Sequence, residues 1–123
     1  MKLPQRRAEL EAILQELSDA DIQRREWLGG EGKALGDSGI DLVVHFLFDD
    51  TDLGENAAAT IGEVLFDLRE AEAVASLAAV LDSMITRLGD TTSKEYVTDS
   101  EWPKVMERAK IASNILARGD SGT

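Results

Sequence analysis

The chain has no cysteine, a single histidine, two prolines and only six aromatic residues among 123. Without cysteine there is no disulfide, no thiolate metal site and no cysteine nucleophile, which suits a reducing compartment. A helical di-iron or di-manganese centre needs Glu-x-x-His pairs on two helices, and this sequence has none. Zinc would rest on His45 and carboxylates alone. Long apolar runs are missing too. The longest uncharged stretch near the middle, 73–81, is far short of the ~20 residues that a membrane span needs. The opening MKLPQRRAEL has no apolar segment behind its basic residues, so it reads as no signal peptide and the expected location is the cytoplasm. Neither Gly-x-Gly-x-x-Gly nor a Walker pattern occurs, so the glycine-rich stretch 29–39 reads as an irregular loop rather than a phosphate cradle.

What the chain has in excess is negative charge, and it is unevenly placed. The net charge is −11. Residues 1–36 hold six basic and seven acidic side chains, and residues 83–123 hold six of each. The middle, 37–82, sets eleven acidic residues against the single Arg69, a balance of −10. A field of that sign repels phosphate backbones and anionic lipid, so nucleic acid and membrane surfaces are poor partners. A basic protein surface is its natural complement.

The apolar pattern is helical throughout and predicts an all-α fold. It is an irregular bundle of two long antiparallel helices, about 68–88 and 101–117, with three or four shorter ones. A single domain over 1–118 is expected, with a flexible tail at 119–123. Pro4 suits a first helical turn, and Leu10, Ile13, Leu14 and Leu17 follow at helical spacing. Ser18 with Asp21 resembles a capping box for a second helix over 19–28, with Ile22 and Trp27 inward. IDLVVHFLF (40–48) suits a buried strand by composition, but no second segment offers it a partner. It is therefore read as a helix capped by Asp37 or Ser38, with Leu42, Val43, Phe46 and Leu47 buried. Residues 57–66 read as a short helix broken near Phe66, in which Gly62 either weakens the helix or allows another backbone to approach closely. Asp67 and Glu70 then have cap spacing, ahead of a seam through Ala71, Val74, Ala78, Leu81, Ile85 and Leu88, widened by Leu77 and Met84 and closed by Gly89. The last helix, capped by Ser100, repeats the seam with Trp102, Val105, Ala109, Ala112 and Leu116 and ends at Gly119.

Catalytic signatures are scarce. His45, beside an apolar run, reads as a partly buried hydrogen-bonding residue. The carboxylates of DDTDLGE suggest calcium, yet an EF-hand started at Asp50 puts Gly54 at its fifth position and Ile61 at its twelfth, so the pattern is not met. No cofactor and no enzymatic activity are expected. The binding candidates are Asp41, Asp49, Asp50, Asp52 and Glu55, with Phe48 as an exposed aromatic anchor beside them. Most of the other aromatics (Trp27, Phe46, Phe66, Tyr96, Trp102) are expected in the core. A second reading is a helical regulatory or structural module. It would dimerise, or dock on a larger complex, through the Val74 to Leu88 or Trp102 to Leu116 stripe.

The ordered set HFLFDDTDL, IGEVLFD and LG followed by EYVTDSEW resembles small acidic bacterial proteins, some of which look like the immunity proteins of polymorphic and contact-dependent toxin systems. The resemblance spans roughly 5–118. It implies a cytoplasmic inhibitor of a cognate toxin domain, many such toxins being basic nucleases, and it assigns no contact residues.

Overall fold

A computed structural model describes residues 4–28, 40–89 and 93–120 of the chain. Among these the fold is all-helical, and the only β contact is an isolated bridge between Ile61 and Leu65. Helix α1 (Pro4–Ser18) is followed by α2 (Ala20–Ile22), which continues as a π-helical turn over Gln23–Leu28. Helix α3 (Ile40–Val44) likewise continues as a π-helical turn, His45–Asp50. Next come α4 (Leu53–Asn56) with a 3-10 turn (Ala57–Thr60), the long α5 (Leu68–Leu88), the short α6 (Ser93–Val97) and the long α7 (Trp102–Asp120).

Helix α7 packs against both α5 and α1 and runs antiparallel to α5. The seams carry this arrangement. On α1 the buried positions are Arg7, Leu10, Leu14 and Leu17. On α5 they include Val74, Leu77, Ala78, Leu81 and Met84, and on α7 they are Trp102, Val105, Ala109, Ala112 and Leu116. Alanines on both α5 and α7 let the backbones approach. Each fully buried Leu contributes about 1.5–3 kcal/mol over leaving it in water, which makes this three-helix contact the main source of stability. Helix α3, its π turn and α4 complete the core with Ile40, Val43, Phe46, Leu47 and Leu53.

Several local readings of the sequence need correction. The cap of α2 is Asp19, whose carboxylate accepts from the Asp21 and Ile22 amides; the Ser18 hydroxyl instead turns back to the Gln15 carbonyl. Segment 40–48 is helical as expected, but Leu42 is 52% exposed and Ile40 takes the inward position. Ile40, Val43 and Leu47 are buried at steps of three and four, so the inward face is centred away from Leu42, which falls at its edge. Residues 57–66 are not one helix. A 3-10 turn leads into a tight reversal in which Gly62 (φ 92°) donates to the Leu65 carbonyl. A Cβ at Gly62 would meet nothing within 4 Å, so its backbone conformation, not close packing, requires glycine there. Gly89 closes α5 at φ 72°, as expected. The turn into α7 is organised by Asp99, which accepts from the Glu101 amide, rather than by Ser100. Helix α7 also runs past Gly119 to Asp120. The 29–39 loop, the Asp37 or Ser38 cap, the Trp27 side chain and residues 121–123 lie outside the described residues.

Candidate functional site

The acidic side chains fall into two groups, those used by the fold and those left to solvent. The first group begins at the buried end of the bundle. Arg7 and Glu70 are 4% and 1% exposed and form a two-pronged pair, Nη1 to Oε1 and Nη2 to Oε2, both at 2.9 Å. Arg7 also donates to the carbonyls of Val64 (3.0 Å) and Leu116 (3.1 Å). Glu70 Oε1 accepts from the Phe66 amide at 2.7 Å, while the Asp67 carboxylate accepts from the Glu70 amide at 3.0 Å. This is an Asp variant of the reciprocal capping box, whose return arm reaches the residue before the cap. The Phe66 ring lies over the Arg7 guanidinium, 3.9 Å from centroid to Cζ. Gly119 leaves room for all of it: a Cβ there would sit 2.5 Å from Glu70 Oε2 and 2.9 Å from Phe66 Cδ2.

Sequence reasoning passed over this cluster, although the signal is present. One step back along the α1 seam from Leu10 is Arg7, and one step back along the α5 stripe from Val74 is Glu70. One step forward along the α7 seam from Leu116 is Gly119. Extending the three seams therefore puts opposite charges and a glycine at one level of the bundle.

The other end is closed by polar contacts as well. Buried Gln23 donates to the carbonyls of Glu16 and Leu17 at the end of α1 and accepts from Trp102 Nε1 at 3.0 Å. Arg87 grips Asp99 with two 2.7 Å bonds and reaches Glu101 at 3.3 Å. The Arg87 hydrogen bond, helped by the Glu101 amide, lowers the Asp99 carboxyl to about 2. The Tyr96 hydroxyl donates to the Gly89 carbonyl.

The 49–55 turn differs. Asp49 and Asp50 end the π-helical turn, Asp52 precedes α4, and Glu55 lies in its first turn. All four are exposed. Asp49 meets only His45, itself 68% exposed at the side chain, at 2.8 Å. Asp50, Asp52 and Glu55 make no side-chain bond or ion pair among the described residues. The turn is held instead by Thr51, whose hydroxyl donates to the Phe46 carbonyl and accepts from the Leu53 amide. Asp49 and Asp50 face the negative end of a helix dipole, which costs each about 0.3–1 kcal/mol at low ionic strength, whereas Asp52 and Glu55 stand at the favourable N-terminal end of α4. Phe48 is half-buried, packed on the core with its ring against Gly54, where a Cβ would lie 2.6 Å from Phe48 Cδ1. Asp41 lies in α3, and its side chain is outside the described ones.

Among the described residues, open clefts lie elsewhere. One of about 490 Å³ runs between the α1–α2 junction and α7, bordered by Gln15, Asp19, Asp21, Lys110 and Asn114. Another, about 410 Å³, lies beside Gln23, Val97, Trp102 and Met106. Neither borders the acidic turn. Among the described residues no three His, Asp or Glu side chains are placed to hold a metal ion, and no helix is long and apolar enough to cross a membrane.

Neither the curated proteins nor the solved structures contain a match to this chain. The family model described as Domain of unknown function (DUF7945) matches residues 1–123, and the chain belongs to that family.

Proposed function

We propose that this chain is a non-catalytic binding protein of the toxin-neutralising, immunity type. It masks a basic, nuclease-like toxin domain in the cytoplasm with its acidic central region. The observation that carries the reading is the 49–55 turn. Four carboxylates stand there without a capping role, and two of them occupy the helix end where they oppose the dipole. Proteins break local rules of this kind most often at functional sites. Confined to seven residues, these charges lie within about a Debye length (~8–10 Å) of one another, so their fields add toward an approaching basic surface. The resemblance of HFLFDDTDL, IGEVLFD and EYVTDSEW to immunity-type proteins supports the same reading. The alternative, dimerisation through the α5 or α7 stripe, gains no support from packing, because Val74, Leu81, Val105, Ala109 and Leu116 are each 0% exposed.

The test is co-purification with the product of the adjacent gene, together with protection of cells from that product. Association should slow steeply with added salt, and Asp49→Asn, Asp50→Asn and Asp52→Asn combined should slow it further. Absence of both binding and protection for every neighbouring product removes the proposal.

A further inference from the structure

Five large apolar side chains among the described residues are exposed: Leu42, Ile61, Phe66, Leu68 and Ile111. Three of them fall on one reversal of the chain. Ile61 is bridged to Leu65, which brings it back beside Phe66, and Leu68 opens α5 two residues later. Their exposures are 37%, 46% and 59%. Scattered exposed apolar residues need no explanation, but a grouped set does.

Phe66 is more than grouped; it is held. Its amide is fixed by Glu70 Oε1, one face of its ring rests on Arg7, and its edge abuts Gly119. Shielding the guanidinium accounts for one ring face and leaves nearly half of the residue in water. An apolar side chain fixed in advance loses little conformational freedom on binding, which is the property of an interface anchor. Along the chain from 61 to 72 the exposed charges are the carboxylates of Glu63, Asp67 and Glu72 and the guanidinium of Arg69, with exposed Arg118 beside Gly119. This acidic excess disfavours a second copy of a chain that carries −11 overall and favours a cationic surface.

We infer that the 61–68 reversal, with Phe66 at its centre, is the apolar anchor of the interface, and that its occupant is a protein surface offering an apolar pocket rimmed by Lys and Arg. The inference rests on the reading of this chain as a binder of basic protein, and adds an apolar contact to that reading's electrostatic one. It is tested on the full chain with two probes at low salt: a short amphipathic peptide of leucine and lysine, and an oligolysine of equal charge, each titrated while backbone amide shifts are followed. The expected result is binding of the leucine–lysine peptide at least about tenfold tighter than oligolysine, with the largest extra shifts at 61–68. Phe66→Ser should abolish that advantage. Leu68→Ser, on a side chain 59% exposed, should reduce it without risk to the fold. Equal affinity for the two probes, an advantage that survives both substitutions, or self-association of the free chain through 61–68 would each overturn the inference. If oligolysine alone fails to bind, the electrostatic reading fails, and the apolar comparison is still decided by the leucine–lysine peptide.

Discussion

The acids at the ends of the bundle and the acids of the 49–55 turn are chemically the same groups in opposite situations. Asp19 caps α2, Asp67 caps α5, Glu70 neutralises Arg7 and holds the Phe66 amide, and Asp99 takes both prongs of Arg87. Each completes a backbone or cationic donor that would otherwise lack a partner. Asp50, Asp52 and Glu55 complete nothing within the described chain, and Asp49 meets only an exposed imidazole. Net charge alone cannot separate these groups. Side-chain bonding partners can, and their near absence marks the 49–55 turn as the place where negative charge is present for a reason other than the fold.

The sharpest way to test this comparison is to remove acids from both groups. The largest effect is expected at the buried pair. Glu70→Leu or Arg7→Met should destabilise by about 3–5 kcal/mol, because each leaves a buried charge unpaired. Arg7→Met combined with Glu70→Leu should recover much of that loss, and a denaturant double-mutant cycle would measure the coupling. If the two single losses simply add, the pair is not acting as a unit. Next in size is Gly119→Ala. Its new methyl meets Glu70 Oε2 and Phe66, and overpacking of this kind costs about 1–3 kcal/mol. A variant as stable as the parent would show that α7 does not close over the pair.

Asp99 offers a smaller test through pH. Its carboxyl is lowered from 3.8 to about 2 by Arg87 and the Glu101 amide. A carboxyl held lower in the folded chain than in the unfolded one adds stability above its unfolded value, and that stability is lost as pH falls toward the folded value. Unfolding followed between about pH 4 and 2 should therefore show an acid-side decline that Asp99→Asn flattens. An unchanged slope would remove Asp99 from the structural group.

How much of this was legible in the sequence depends on what the sequence pattern encodes. The α5 and α7 seams were readable because they are long and regular, and Asp67 with Gly89 marked the ends of α5 by ordinary cap chemistry. The helical state of 40–48 followed from the want of a partner strand. Leu42 lies at the edge of the face that Ile40, Val43 and Leu47 set inward, and composition alone does not separate it from Ile40. The Arg7–Glu70 pair was hidden because charged residues are presumed to face solvent, although both continue an apolar seam. Glycine ends many helices, so Gly119 reads as a stop; in the fold it is a point of close approach inside α7. The acidic turn was found by counting charge. That its carboxylates lack structural partners is visible only in the folded chain.

The central claim is that the 49–55 carboxylates do no structural work. The most direct measurement is the urea unfolding midpoint of the combined Asp49→Asn, Asp50→Asn, Asp52→Asn variant at low ionic strength, beside the parent chain. Relief of mutual repulsion and of the opposing dipole at Asp49 and Asp50, set against the favourable place of Asp52 ahead of α4, predicts a stability within about 1 kcal/mol of the parent. A loss of more than about 1 kcal/mol, the size of a lost cap, would contradict the account and return these residues to the fold.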